Sequence, residues 1–566
     1  MISWYGLYRR QLRAHMIIVC CLWGVFSAFT QEVTVQRDGS SWSLNVNGKP
    51  FFIKGMCWSY APIGAKYDYD LFRLPEDHIK RVIERDFSLM KAMGCNTVRA
   101  SLPPKWTAYI HRKYGIWFIP NYYCGRYGMT VNGKWTYPTN YEDPQIRRMI
   151  IEEARSFARR YHKVPGVLML AWGNENNYGL EWKSAEAENL PVGERHKAKA
   201  KFIYTLFNAI IEQVRGDGWD KPQAIVNGEI QYLDLIRQYC PAMDVFSLNC
   251  YRGRGYGPLA KDIAAKLGKP FFLMETGCDA WNARTHREDQ DAQADTIAAN
   301  WEYLYRQAPG VKGGAMNCLG AVVFQWADEW WKRGQQHNLW VHDTEGSWAH
   351  GAYYDAGAGV KNMNEEWFGI CAIHPTTIDG VHVITPRVSY FVLKAIWSHD
   401  PIGHEPATIT GWFRGFGNLL KTRKKQAAKR ARLPLVLYAE GESQLPYIPS
   451  GFMGNTAAMK LDLRCQDRPY AGTYCARFSY NATSGWGGVV WQNPQNNWGD
   501  ENGGYNLTGA RFLEFAVRGK TGGQTVTFFV GLVGKDKPFG DSCKREVKVI
   551  LSTQWQKIRI PLENAD

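Results

Sequence analysis

Two stretches of the sequence place a glutamate at the end of an apolar run of strand length. The run Val167–Ala171 leads through Trp172-Gly173-Asn174 to Glu175, and the run Phe271–Met274 ends directly at Glu275. Such runs predict strands that are buried on both faces of a parallel sheet. In a (β/α)8 barrel of roughly 250 residues, three βα units span about 94 residues. Positions 175 and 275 are one hundred residues apart, so the spacing predicts that they end the fourth and seventh strands of one barrel.

A pair of carboxylates in that position has a defined chemistry. Barrel enzymes keep their reactive side chains at the carboxyl ends of the strands. Two carboxylates that face each other there suit cleavage of a glycosidic bond, because one protonates the leaving oxygen while the other attacks or stabilises the anomeric carbon. The alternative is that Glu175 or Glu275 is an ordinary solvated loop residue. The shared context of the two residues favours the catalytic pair.

The rest of the first four hundred residues alternates between strand and helix patterns. Apolar residues recur at helical spacing over Glu76–Met93, and short strand-like runs occur at Asn96–Arg99 and Val245–Tyr251. The alternation predicts an α/β fold in which residues 31–403 form a (β/α)8 TIM barrel. Long segments after the third and eighth strands are expected on the active-site face, where they form substrate walls.

The remaining sequence predicts a second domain, since 566 residues exceed what one ordinary core accommodates. Residues 404–434 combine three glycines with a basic run, which predicts a linker or exposed arm. Residues 435–566 contain short alternating strands between Gly and Asn turns. This pattern is typical of an all-β jelly roll or sandwich.

Residues 1–30 have the order of a secretory signal peptide. A basic stretch precedes the apolar run Met16–Phe26, and small residues follow it. The run is shorter than the about 20 residues that span a membrane. We therefore expect a secreted protein, extracellular or periplasmic, without a stable membrane span after cleavage of the signal. An uncleaved N-terminal anchor is the alternative.

The formal net charge of +15 does not predict a nucleic-acid partner. Ten of these charges fall in residues 1–30 and 401–432, so the folded body is only mildly basic. The Cys and His spacings fit no zinc motif, and we expect neither a metal nor a cofactor. Cys465 and Cys475 flank a predicted turn. In an oxidising compartment either a disulfide or two free thiols is compatible with this spacing.

A set of motifs, taken in order, resembles the retaining β-glycosidases of glycoside hydrolase clan A. The resemblance covers about residues 40–400 and is closest to the family 2 catalytic barrel and to the β-1,3-glucanosyltransferases of family 72. The motifs are Phe51-Phe52-Ile53-Lys54-Gly55, Asn96-Thr97-Val98-Arg99, Gly173-Asn174-Glu175, Glu275-Thr276-Gly277 and Phe324-Gln325-Trp326.

The resemblance implies a role for each of several residues. Glu175 is implied as the general acid/base, Glu275 as the nucleophile and Asn174 as the ligand of the sugar 2-hydroxyl. Arg99 and Tyr251 are implied to hold the nucleophile, which would keep it ionised. The remaining candidates are substrate-binding aromatic residues, with Trp326 as the floor of the cleavage subsite: Trp326, Trp58 and Trp330.

Structural alternatives to these roles stay open at the level of sequence. Arg99 can pair with a structural acid, and Tyr251 and Trp326 can belong to the core. Four further acids lie near the predicted mouth, and any of them is a possible partner for one of the two glutamates: Asp328, Glu329, Glu365 and Glu366.

The C-terminal region resembles galactose-binding-like carbohydrate modules through Gly504-Tyr505-Asn506-Leu507 and Gln554-Trp555. Such modules usually continue beyond the point that corresponds to Asp566, so we expect an incomplete module. Its candidate sugar platforms, with burial in the sandwich as the alternative, are Trp486, Trp491 and Trp498.

Together these patterns predict a secreted retaining glycoside hydrolase that acts on a β-linked polysaccharide or oligosaccharide, β-glucan-like in type. One alternative is a β-glucanosyltransferase with the same two glutamates, which passes the sugar to an acceptor other than water. Another is a non-catalytic glycan-binding protein on a barrel scaffold. The presence of both glutamates weighs against the last.

Overall fold

The computed structural model describes most of the chain after the predicted signal peptide, which lies outside the described residues. These are 31–284, 286–332, 338–346, 348–349, 361–423, 429–443, 447–499, 501, 503–507, 509–534, 537, 539–541 and 543–562. Within these ranges, no helix combines the length and the apolar character that crossing a bilayer requires.

A closed parallel barrel confirms the predicted (β/α)8 fold. Its strands pair in chain order and the eighth pairs with the first. A bridge between Phe118 and Val167 closes the ring where the third strand is interrupted at Pro120. The strands are Ile53–Cys57, Thr97–Arg99, Trp117–Ile119 with Asn121–Tyr122, Leu170–Trp172, Gln223–Gly228, Val245–Asn249, Phe271–Thr276 and Cys318–Val323.

A helix follows each barrel strand and packs its apolar stripe on the outside of the sheet. The first helix has the predicted bounds, Glu76–Met93, and it buries Val82, Ile83 and Phe87. The other seven are Pro104–Tyr114, Pro144–Tyr161, Val192–Gly216, Leu233–Tyr239, Leu259–Lys266, Gln290–Arg306 and Val388–Trp397.

Two hydrophobic clusters build the barrel. One fills its interior and includes Ile53, Leu168 and Phe272, while the larger one lies between the strands and the helices. An N-terminal sheet of Val33–Asp38, Ser41–Val46 and Lys49–Pro50 adds Val33 and Leu44 to the interior cluster. The interior is therefore a packed core, and the reactive groups are left to the strand ends.

The structure differs from the linker predicted for residues 404–434. Residues Pro406–Arg423 form a helix, and Ile409, Phe413 and Phe416 are buried in the larger barrel cluster. The Phe413 ring packs against Tyr305 with ring centroids 5.7 Å apart. This apolar stripe makes most of the expected linker a ninth helix on the barrel, within the part of the chain that is described.

Antiparallel strands dominate the C-terminal region, as predicted. The longer pairs are Ile448–Gly454 with Gly487–Gln492, Met459–Cys465 with Cys475–Tyr480, Phe512–Val517 with Gln556–Pro561, and Thr525–Val530 with Arg545–Ile550. Cys465 and Cys475 are register partners. Both are free thiols, and the Cys475 Sγ lies 3.3 Å from the Cys465 carbonyl oxygen.

One hairpin connects the two parts of the chain. Its strands, Cys371–Ile378 and Val381–Pro386, follow the eighth barrel strand, and Cys371 bridges to Ala327. The first of these strands also pairs with Met459–Cys465 through Thr377 and Asp462. The hairpin therefore contacts both the barrel mouth and the C-terminal strands.

Candidate active site

Glu175 lies in a backbone turn that requires a glycine at position 173. It follows the fourth barrel strand in the left-handed region, at φ 57°. Gly173 has φ 83°, and a Cβ there would lie 2.6 Å from the Phe207 ring and 2.7 Å from the Asn176 side-chain oxygen. Strained backbone of this kind is typical of functional sites. The turn directs the Glu175 carboxyl toward the barrel mouth, where it meets the sixth strand.

Glu275 lies near the end of the seventh strand, between a cation and a phenol. Arg99, at the end of the second strand, forms an ion pair with Glu275 Oε1, and the Tyr251 hydroxyl donates to Oε2 at 2.9 Å. The side chains of Arg99 and Glu275 are 7% and 14% exposed, so solvent screens the pair little. Both oxygens of Glu275 thus face groups that stabilise an ionised carboxylate.

Asparagine side chains join the two glutamates into one hydrogen-bonded network. Asn174 Oδ1 accepts from Arg99 Nη2 at 2.8 Å and from Asn249 Nδ2 at 3.2 Å. The same Asn249 nitrogen lies 3.1 Å from Glu175 Oε1. A register shift at Asn249 pairs it with Glu275 across the sixth and seventh strands. The network therefore runs from Glu175 to Glu275 through groups at four strand ends.

The environments of the two glutamates differ, and the difference sets their protonation. Burial raises the pKa of Glu175 to about 7, the negative charge of Glu275 acts in the same direction, and the Asn249 hydrogen bond opposes it. Among the described residues, no cation forms an ion pair with Glu175 of the kind that Arg99 forms with Glu275. One carboxyl is thus able to hold a proton near neutral pH beside a carboxylate that is held by a cation, which is the division that acid and nucleophile roles need.

Three further residues fix this network, and the sequence analysis missed all of them. Asn121 Oδ1 accepts from Arg99 Nη2 at 2.8 Å, and the Tyr127 hydroxyl accepts from Asn174 Nδ2 at 2.8 Å. Asn249 Nδ2 contacts both Glu175 Oε1 and Asn174 Oδ1. Asn249 is a polar residue near the end of the predicted strand Val245–Tyr251, and that position was a usable signal. Asn121 follows Pro120, where the third barrel strand is interrupted. Tyr127 lies within a long loop, where no local pattern marked it.

The three candidate tryptophans occupy different environments. Trp326 follows the eighth strand and is 1% exposed, and its indole N–H has no hydrogen-bond partner among the described residues. Trp58 packs in the core with its ring on Phe87, and its N–H donates to Asp86 at 2.8 Å. Trp330 stacks on His342 at 4.9 Å. All three rings are therefore engaged in packing, Trp326 within the larger barrel cluster and against Tyr390 with ring centroids 6.3 Å apart. The indole N–H of Trp330, like that of Trp326, has no hydrogen-bond partner among the described residues.

The other acids near the mouth have structural partners. Both oxygens of Asp328 accept from Arg387, at 2.7 and 2.6 Å. Glu329 accepts from Ser59 and lies 3.4 Å from Lys332, and Glu365 accepts from the Trp348 indole at 3.0 Å. Glu366 is buried and accepts from the Asp343 backbone N–H at 2.6 Å. None of these four carboxyls is a partner in the hydrogen bonds described above for Glu175 and Glu275.

In the described ranges, no group of three or more His, Cys, Asp or Glu side chains is arranged to hold a metal ion.

Part of the barrel matches a known family. Residues 41–189 match the model for the family "Glycosyl hydrolases family 2, TIM barrel domain". That segment holds the first four barrel strands together with Arg99, Asn174 and Glu175. The first half of the barrel is thus similar to the barrel domain of that family, and Glu275 lies beyond the matched segment.

Several solved structures resemble the chain in part. A β-glucuronidase from Bacteroides uniformis has 13% identity and a TM-score of 0.41, over 94% of this chain and 48% of that one. A β-glucuronidase from Bifidobacterium dentium has 19% identity and a TM-score of 0.40, over 65% and 49%. A β-galacturonidase from Eisenbergiella tayi has 14% identity and a TM-score of 0.40, over 66% and 55%. The chain spans about half the length of these proteins, and no curated protein sequence matches it.

Proposed function

We propose that the protein is a retaining glycoside hydrolase in which Glu175 is the general acid/base and Glu275 the nucleophile. The observation that carries the proposal is the unequal environment of two carboxyls within one network. Arg99 and Tyr251 hold the Glu275 carboxylate, while burial raises the pKa of Glu175 to about 7. Asn174 contacts Arg99 and Tyr127 beside them, where a sugar hydroxyl would be bound.

The reaction follows two displacements. In the first, a Glu275 oxygen attacks the anomeric carbon while the Glu175 proton passes to the glycosidic oxygen, so that the sugar–oxygen bond breaks and a glycosyl-enzyme ester forms. In the second, Glu175, now ionised, takes a proton from water, and the water oxygen attacks the anomeric carbon and releases Glu275. The configuration at the anomeric carbon is retained because it is inverted twice.

The substrate class and the location are also part of the proposal. We propose a β-linked polysaccharide or oligosaccharide, β-glucan-like in type, and a secreted protein. The support is the ordered set of motifs, the signal-like segment 1–30 and the aromatic content of 14%, since pyranose C–H faces pack well on aromatic rings. A sugar-binding role for the C-terminal module stays a prediction.

Chemical rescue of two variants tests the assignment of the glutamates. With a dinitrophenyl β-glycoside, whose leaving group scarcely needs protonation, Glu175→Ala should form the glycosyl-enzyme quickly and then stall, because the base for the second step is absent. Azide needs no base, so it should restore turnover and yield the β-glycosyl azide. Glu275→Gly has no nucleophile, so azide should enter from the opposite face and yield the α-glycosyl azide.

The stereochemistry of the products separates the outcomes. Reversed products would show that the two roles are exchanged. Absence of rescue in both variants, when the wild type hydrolyses the same glycoside, would contradict the double displacement. Glu329→Gln is the matched control, because it removes a carboxyl near the mouth that is bound to Ser59 and Lys332 and should need no azide.

A further inference from the structure

Exposed aromatic residues collect on one segment of the barrel mouth, the segment that follows the third strand. Tyr123, Tyr127, Trp135 and Tyr137 are all exposed there, and Trp135 is the most exposed of them at 63%. Trp135 lies on a small ribbon formed by Met129–Val131 and Lys134–Thr136. Large rings in water are costly, so a row of them beside a site of catalytic geometry indicates a ligand surface.

Trp135 is held against the backbone rather than extended freely into solvent. A Cβ on Gly128 would lie 2.8 Å from both Cε2 and Cζ2 of the Trp135 indole. Gly128 has φ +102°, and the absence of a side chain there leaves the space that the ring occupies. The indole thus lies against Gly128, and 63% of the Trp135 surface remains exposed. An aromatic ring presented in this way is able to stack on the apolar face of a sugar.

The surface is continuous with the catalytic network. Tyr127 precedes Gly128, and its hydroxyl accepts from Asn174 Nδ2 at 2.8 Å. The Arg126 guanidinium lies 5.3 Å from the centre of the Tyr127 ring, and Arg126 Nε donates to the Glu175 backbone oxygen at 3.0 Å. The Trp135 ring, which lies against Gly128, is therefore next to the segment whose Tyr127 and Arg126 contact Asn174 and Glu175.

We propose that Tyr127 and Trp135 form a stacking platform for sugar units of a glycan chain that extends out of the cleavage site along this segment. Tyr127 contacts the unit at the reacting centre, and Trp135 contacts a unit further along the same chain. The substrate class is then a glycan of several units rather than a small glycoside. This proposal rests on the proposed hydrolase function and specifies its substrate.

The groups around the platform suit a hydroxyl-rich ligand. The Tyr137 hydroxyl donates to Glu181 Oε2 at 3.2 Å, so the ring edge next to Trp135 carries both a phenol and a carboxylate. Sugar hydroxyls donate and accept hydrogen bonds, and such groups match them along one edge while the indole packs on the C–H face.

The test compares short and long substrates on full-length protein. Aryl β-glycosides of glucose, galactose, mannose and glucuronic acid identify the sugar, and β-linked oligosaccharides of two to six units of that sugar follow. Trp135→Ala should leave kcat/KM for the aryl glycoside within twofold. It should lower kcat/KM for the hexasaccharide about tenfold, chiefly through KM, which corresponds to about 1.4 kcal/mol of lost contact. Trp135→Tyr should recover most of that loss.

The matched control is Phe391→Ala, which removes another exposed ring, 53% exposed, from the helix Val388–Trp397. It should change neither substrate. Equal loss on short and long substrates in Trp135→Ala, or no loss on either, would overturn the platform while leaving the hydrolase intact. Inactivity of the wild type on every aryl glycoside would overturn the proposed function instead.

A binding measurement tests the platform even if the wild type hydrolyses none of the aryl glycosides. Native electrophoresis through laminarin, mixed-linkage β-glucan, mannan, galactan and xylan should show retardation of the wild type by one polymer and less retardation of Trp135→Ala. If no polymer retards the wild type, the platform has no glycan ligand and the proposal is wrong. A change of oligomeric state in Trp135→Ala would reassign the surface to contact between copies of the chain.

Discussion

At the scale of single residues, the position of Glu175 explains its protonation. The left-handed turn at Gly173-Asn174-Glu175 places the carboxyl in a half-buried site that Asn249 reaches with one N–H. Burial and the charge of Glu275 favour the neutral form, and the Asn249 hydrogen bond favours the charged form. The balance makes Glu175 a proton donor near neutral pH, which is where a general acid is most effective.

A pH profile checks this balance. Since Glu175 must be protonated to act as the acid, kcat/KM should fall as the pH rises through about 7. Asn249→Leu removes the hydrogen bond that favours the charged form, so the pKa should rise and the basic limb should move to higher pH. The measurement is kcat/KM against pH with an aryl β-glycoside. Asn208→Ala is the control, at an amide that accepts from the Ala242 N–H, and its basic limb should coincide with that of the wild type. A shift of the basic limb to lower pH in Asn249→Leu would contradict the assigned role of the Asn249 hydrogen bond.

At the scale of elements, the segment after the eighth strand is stabilised by buried polar groups as well as by packing. His342 stacks on Trp367 with ring centroids 3.6 Å apart and on Trp330 at 4.9 Å. Glu366 is fully buried beneath this stack, with one oxygen on the Asp343 N–H and the other without a hydrogen-bond partner in the part of the chain that the structure describes. A buried carboxyl of this kind is costly when it is charged.

The stability of the protein should therefore depend on pH at this position. Burial raises the pKa of Glu366 from 4.5 to about 9, so the folded state binds the proton more tightly than the unfolded state does. The free energy of unfolding then falls as the pH rises from 4.5 toward 9. Glu366→Gln keeps the acceptor for Asp343 without the charge. It should have little effect at pH 4 and should stabilise the fold by at most about 3 kcal/mol at pH 7.

Denaturant unfolding of both proteins at pH 4, 7 and 8 measures this effect. Glu212→Gln, at an exposed position of the helix Val192–Gly216, is the control and should follow the wild type at each pH. An effect of Glu366→Gln that is constant across the pH range would show that packing, and not ionisation, is responsible.

The helix Pro406–Arg423 is a second element whose role is measurable. Phe413 is buried against Tyr305, and Arg306 Nη2 donates to Thr410 at 2.7 Å. Phe413→Ala should therefore lower the free energy of unfolding by about 3 kcal/mol, as expected for loss of a buried ring. The exposed neighbour Arg414→Ala is the control and should change it by less than about 0.5 kcal/mol. Equal stability of both variants would mean that the helix does not contribute to the barrel core.

The sequence predicted the elements whose signal is local. The apolar runs before Glu175 and Glu275 were sufficient to place both residues at strand ends. The helix Pro406–Arg423 was predicted as a linker because its glycines and basic residues are local signals, whereas the burial of Ile409, Phe413 and Phe416 depends on the distant helix Gln290–Arg306. The network through Asn249 and Tyr127 was missed for a similar reason, since closure of the barrel brings together residues that are 47 to 75 positions apart.

At the scale of the whole molecule, the barrel and the C-terminal strands share few interactions. The main ones are the pairing of Thr377 with Asp462, the ion pair of Asp379 with Arg464 at 3.0 Å and the hydrogen bond of Gln495 to His374 at 2.9 Å. The hydrophobic clusters among the described residues include no residue beyond Phe416. The barrel core is thus complete before the C-terminal strands begin.

Two truncations test this division. Residues 31–434 keep the helix Pro406–Arg423 and should fold, with kcat/KM on an aryl β-glycoside within about threefold of the full-length value, because a barrel with its own core folds independently. The midpoint of thermal unfolding should fall by no more than about 5 °C, since only a few polar contacts are lost. Residues 31–403 lack that helix, which would expose the surface around Tyr305, and this form should be unstable or insoluble.

Arg464→Ala in the full-length chain is the control, because it removes one contact to Asp379, and it should leave activity unchanged. An inactive or unfolded 31–434 form would show that the barrel and the C-terminal strands are one folding unit. A stable 31–403 form would show that the helix Pro406–Arg423 is a linker that the barrel does not need.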